Sequence, residues 1–124
     1  MANKNNTSFP SCTVTITLTP EARNFLAGTT AGVSHFAIYN DLLDNMAIVD
    51  TSFSKRGNIV PLLTGQAESS AHSMSERWKL GRKSMVRILS TMDDLGIIRL
   101  HTSRLASISD MLSVDKCQTC LLYT

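Results

Sequence analysis

Cys12 to Leu18 alternates, with Val14, Ile16 and Leu18 on one side and Thr13, Thr15 and Thr17 on the other. A period of two in β-branched residues predicts a short half-buried strand. Thr19-Pro20-Glu21 reads as a helix start, with Thr as N-cap, Pro in the first helical position and Glu in the first turn. That helix is expected to run to about Ala27 and to end at Gly28. Ser34 opens a second helix, in which Phe36, Ile38, Tyr39, Leu42, Leu43 and Met46 recur at helical spacing. Asn40, Asp41, Asp44 and Asn45 fall on its other face. The pattern is weak over 47–58. Ser54 to Asn58 reads as a polar loop, and Ile59 to Leu63 as a strand fragment broken by Pro61.

From Gly65 onward the pattern sharpens. Ala67 to Ser70 is a polar lead into a helix carrying Ala71, Met74 and Trp78. Leu80-Gly81 makes a tight turn. A second helix runs from Arg82 to about Asp94, with Val86, Leu89 and Met92 expected inward and Gly96 in the left-handed position past its end. Ile97, Ile98 and Leu100, a polar tip His101-Thr102-Ser103-Arg104, and then Leu105, Ile108 and Met111 read as a hairpin.

Composition changes this picture only in places. A chain of 124 residues, 43% hydrophobic and 18% charged, suits one packed domain. The net charge of +2 is too small to announce a nucleic-acid partner by itself. Its distribution says more, because 77–87 holds Arg77, Lys79, Arg82, Lys83 and Arg87 and no acid. Residues 1–9 lack the apolar stretch of a secretory signal, and no apolar run is long enough to span a bilayer. Three cysteines give no disulfide framework, so the expected location is the cytoplasm.

Helix, short turn, longer helix and hairpin is the order of a winged helix-turn-helix. In that arrangement the second helix is propped so that its polar face can enter a major groove. With its apolar row inward, Lys83, Ser84, Arg87 and Ser90 lie outward, with Arg82 at the helix start. Arg77 and Lys79 are placed to grip the flanking backbone, and Arg104 to hold phosphates from the hairpin tip.

The run GQAESSAHSMSERWKLGRKSMVRILSTMDDLGIIRLHTSRLASISDM, Gly65 to Met111, resembles winged helix-turn-helix proteins encoded on bacterial plasmids, conjugative elements and phages. These include replication-initiator and replisome-organiser-like DNA-binding domains. The resemblance rests on Gly65-Gln66 before the first helix, Trp78 near its end, GRKSMVRIL as the recognition helix, MDDLGII as its exit and RLHTSRLASI as the wing. It implies that Arg82, Lys83, Ser84 and Arg87 read bases or hold phosphates.

Other chemistry has little support. Cys117 and Cys120 have the spacing of half a zinc site, but Cys12, His35, His72 and His101 do not complete it. Asp41, Asp44 and Asp50 read as a solvated acidic face. Trp78 reads as a core residue. No phosphate-binding loop, metalloprotease motif or nucleophile elbow is present, so neither catalysis nor a metal or cofactor is expected.

The expectation is therefore an α+β fold, mainly helical, with a winged helix-turn-helix at 64–112. A disordered tail occupies 1–11, a strand and helices occupy 12–63, and a C-terminal tail occupies 113–124. The expected function is sequence-preferring binding of double-stranded DNA, as a transcriptional regulator or an accessory factor of a mobile element. Dimerisation through 12–46 is part of that expectation. The alternative is a winged-helix module that docks a protein partner through the helix at 34–46.

Overall fold

The computed structural model describes residues 12–119. The tail expected over 1–11 and Cys120 lie outside them. The chain folds as a small α+β domain of four helices and several small antiparallel sheets. It is not mainly helical, because nine short strands accompany the helices among the described residues.

Capping residues fix the first two helices. Strand β1, Cys12–Ile16, leads to helix α1, Pro20–Leu26, where the Thr19 hydroxyl accepts the Ala22 N–H at 3.1 Å. Helix α2, His35–Asp44, starts in the same way, with the Ser34 hydroxyl accepting from Ala37 at 3.1 Å. Between them lies a miniature hairpin, β2 Thr29–Thr30 and β3 Val33–Ser34. The weakly patterned segment after α2 forms a second hairpin, β4 Thr51–Lys55 and β5 Asn58–Leu62. Both hairpins turn through two residues with positive φ: Ala31 at 50° and Gly32 at 82°, Arg56 at 52° and Gly57 at 80°. That is the turn whose twist matches a two-residue hairpin. Asn, Asp or Gly usually occupies its first position, so Ala-Gly and Arg-Gly give a weak signal in the sequence.

The polar lead before the third helix is strand β6, Gln66–Glu68. It joins β7, Arg99–Thr102, and β8, Ser107–Asp110, in a three-stranded sheet of order β6-β8-β7. Ala67 and Ser109 pair across it and are fully buried, and the Ser109 hydroxyl donates to the Ser69 hydroxyl at 2.7 Å. Gln66-Ala67-Glu68 is too short, with one small apolar residue, to carry an apolar pattern, so β6 is defined by its partner strand rather than by its own sequence.

Helices α3, Ala71–Trp78, and α4, Arg82–Asp94, complete the core with α2. Ile38, Tyr39, Leu42, Met74, Met85, Leu89, Met92, Ile97 and Ile98 are almost fully buried. Each large apolar side chain so buried contributes about 1.5–3 kcal/mol relative to an exposed one. The inner row of α4 is Met85, Ile88, Leu89 and Met92, at i, i+3, i+4 and i+7. Val86, expected inward, is instead 47% exposed, because the row that meets the core begins one residue earlier. Phe36 departs likewise, at 49% exposed on α2. Most of the apolar face of α2, the expected partner or dimer surface, is consumed within the chain: Ile38, Tyr39 and Leu42 are all buried.

Gly96, φ 75°, ends α4 as expected. The Ile97 N–H reaches the Met92 carbonyl at 2.9 Å and the Gly96 N–H reaches that of Asp93 at 3.1 Å, the paired bonds of a Schellman cap. After Ser113 the chain does not trail off as a tail through Thr119. Val114–Thr119 is strand β9, antiparallel to β1, and the buried Tyr39 and Ser113 hydroxyls meet at 2.6 Å just before it.

Candidate nucleic-acid interface

Once Met85, Ile88, Leu89 and Met92 turn inward, the opposite face of α4 is fixed by helical geometry. Lys83, Val86, Arg87 and Ser90 are exposed on it, Arg82 is exposed at its start, and Ser84 is half-buried. Gly81 is the N-cap and gives no side-chain hydrogen bond to the first turn. The first N–H groups of α4 therefore keep their donor capacity, and the helix dipole adds positive potential there. Among the described residues, Arg82, Lys83 and Arg87 take part in no ion pair.

Arg77 differs from these. Its guanidinium donates to Asp41 Oδ2 from Nη2 at 2.7 Å and from Nε at 3.2 Å, and Trp78 Nε1 donates to the same oxygen at 3.0 Å. The Asp41 side chain is only 18% exposed. It is not part of a solvated acidic face but the pin between α2 and the end of α3. Trp78 packs half-buried against the core, as a core residue should, with its indole N–H satisfied by that pin. Arg77 thus faces α2 and stands apart from the cations of α4.

Lys79 follows α3 in the left-handed conformation, φ 56°. The Leu80 N–H bonds to the Ser75 carbonyl at 3.0 Å, which closes the helix and sets the corner between α3 and α4. The Lys79 side chain is exposed at that corner.

The β7–β8 turn lies two residues further along than the sequence indicates. His101 and Thr102 belong to β7, and the turn itself is 103–106. Ser103 builds it: its hydroxyl accepts the Leu105 and Ala106 N–H groups at 3.2 and 3.1 Å. Arg104 is exposed at the tip. His101 is not at the tip. It reaches Asp110 across the hairpin at 2.8 Å, and Gln66 donates to the other Asp110 oxygen at 2.8 Å, so the carboxylate ties all three strands together. Partial burial pushes the Asp110 carboxyl up. The hydrogen bonds from His101 and Gln66, with the charges of His101 and Arg99, outweigh it and hold the group below its ordinary value.

Of the candidate residues, Arg82, Lys83, Arg87 and Ser90 share one outward helix face, Ser84 lies at its edge, Lys79 at the preceding corner, and Arg104 on a separate hairpin tip. Arg56, exposed at the β4–β5 turn, escaped the sequence reading, whose only cue was a polar loop. Among the described residues no group of three or more His, Cys, Asp or Glu side chains could hold a metal ion. No described helix is long and apolar enough to cross a membrane.

No protein-family model, curated protein or solved structure matches this chain.

Proposed function

We propose that the chain is a winged helix-turn-helix that binds double-stranded DNA with sequence preference, as a transcriptional regulator or an accessory factor of a mobile element. The observation that carries this reading is an outward face of α4 bearing Arg82, Lys83 and Arg87 with no acidic partner among the described residues. The topology supports it. Helix α2, then after the inserted β4–β5 hairpin strand β6, helix α3, a short corner, helix α4 and the β7–β8 hairpin come in this order, and the lone strand β6 pairs with β8. In this reading α4 enters the major groove. Arg82, Lys83 and Arg87 donate to guanine acceptors or phosphate oxygens, Ser84 and Ser90 add hydroxyls, and Lys79 and Arg104 hold the flanking backbone. Two copies on two half-sites would supply the affinity that one small domain lacks.

The test is a mobility shift with random-sequence duplex at low and moderate salt, followed by selection of bound sequences. Binding that weakens with salt and enriches a motif is expected, with the half-site spacing reporting the number of copies. Arg87→Ala should cost about 1–3 kcal/mol of specific binding if it makes a bidentate base contact. No shift at low salt would overturn the reading and favour a protein-docking module.

A further inference from the structure

The β4–β5 hairpin interrupts the order of the proposed winged unit, between α2 and β6, and its direction is well fixed. Residues 63–66 fold β5 back along β6: the Gln66 N–H bonds to the Leu63 carbonyl, and the Leu63 N–H to Gln66 Oε1, both at 2.9 Å. Five residues up the hairpin from that turn, Lys55 Nζ reaches Glu68 Oε2 at 3.1 Å, at the far end of β6. Val60 and Leu62 are buried on the inner side of the hairpin, so it is seated on the domain and does not swing free.

The β4–β5 hairpin is a sheet of its own, so the Lys55–Glu68 contact, followed through the register of β6, β8 and β7, locates its tip. Glu68 pairs with Ile108 on β8, and Ile108 pairs with His101 on β7, so the 103–106 turn lies beyond the Glu68 end of the sheet. The Arg56-Gly57 turn lies beyond that same end, one residue past Lys55. At about 3.3 Å per strand residue, the 103–106 turn begins ~7 Å past His101 and Ile108, and the Arg56-Gly57 turn, six residues from Leu63 against two from Gln66 to Glu68, reaches ~13 Å past Glu68. Each tip presents an exposed arginine, Arg56 or Arg104, with no ion pair among the described residues. The one nearby acid on β6, Glu68, is already neutralised by Lys55.

We infer that the β4–β5 hairpin is a second wing, which places Arg56 on the DNA phosphate backbone alongside Arg104. This inference rests on the DNA-binding reading and extends it. A phosphodiester backbone fits the feature because it offers a row of anions to two separated cations that carry no base-reading geometry. The contact adds affinity and footprint without adding sequence information.

The test uses the full chain and the duplex selected with the wild type. Arg56→Asn removes the charge and leaves Asn-Gly, a favoured pair for this turn, so the hairpin is kept. Its thermal midpoint should be unchanged or higher. Binding at low salt should fall several-fold, the slope of log K against log salt should shrink by about 0.9 per lost phosphate contact, and the selected motif should stay the same. Arg56→Lys should restore the slope. Arg56→Asn with wild-type affinity and slope, where Arg87→Ala is weakened, would overturn the second wing and leave the reading of α4 standing. A wild-type chain that binds no duplex at low salt would overturn both.

Discussion

Asp41→Ala should loosen the joint between α2 and α3, and the size of the effect follows from what the carboxylate holds. One oxygen accepts from the half-buried Trp78 indole and twice from Arg77, and the other takes the Asn45 amide at 3.1 Å. A hydrogen bond to a charged group contributes about 1.5–3 kcal/mol, and the indole N–H loses its partner on a partly buried surface. The Arg77 share is small, because its side chain is 49% exposed and an exposed pair contributes roughly 0.2–1 kcal/mol. The expected loss for Asp41→Ala is therefore about 2 kcal/mol, or ~8 °C in the thermal midpoint for a domain of this size. Trp78 is the only tryptophan, so urea unfolding followed by its fluorescence reads the joint directly. Asp41→Asn, which keeps an acceptor for the indole, should recover about half of the loss, and Arg77→Ala should cost under ~1 kcal/mol. A loss below ~0.5 kcal/mol for Asp41→Ala, the range of an ordinary surface change, would refute the pin. Arg77→Ala matching Asp41→Ala would refute the weighting of indole over guanidinium.

Three further outcomes are expected. Asp110 is held below its ordinary carboxyl value in the folded state, so its contribution is complete above the unfolded value near 4 and is lost as pH falls through the folded one; Asp110→Asn should flatten the stability–pH curve in that acid window, and an unchanged curve would contradict the three-strand tie. Tyr39→Phe leaves the buried Ser113 hydroxyl without its partner and should cost about 1–2 kcal/mol in denaturant unfolding, against a neutral result if Ser113 finds another. Lys79→Gly relieves a left-handed non-glycine residue and should raise stability by up to ~1 kcal/mol while removing one expected phosphate contact, so that the midpoint rises as DNA affinity falls.

What the sequence reveals is local, and what it hides depends on partners. Thr19 and Ser34 cap their helices through atoms three residues away, and Gly96 closes α4 with its own last turn, so short-range patterns locate all three. Strand β6 has no pattern of its own and exists because β8 lies beside it. The Ala31-Gly32 and Arg56-Gly57 turns carry the right geometry with an uncommon first residue, so both hairpins stay hidden. Val86 shows the limit within a helix: the spacing allows a row of Val86, Leu89 and Met92 or one of Met85, Ile88, Leu89 and Met92, and only the docking of α4 on the rest of the core chooses between them. The same limit governs the interface. The cluster from Arg77 to Arg87 stands out as a run of charge, but a run does not say which cations are available to a partner. Asp41 lies 36 residues before Arg77 and is brought to it by the packing of α3 on α2. That packing removes one cation from the cluster, while the Gly81 corner turns Arg82, Lys83 and Arg87 outward. A cation already held by a partly buried carboxylate adds little to a phosphate, since the gain must first replace the bond it breaks. The proposed DNA-facing surface is therefore the outer face of α4 with Lys79 beside it, extended in the same proposal by the hairpin tips at Arg104 and Arg56, while Arg77 is held by Asp41 on the side of α2.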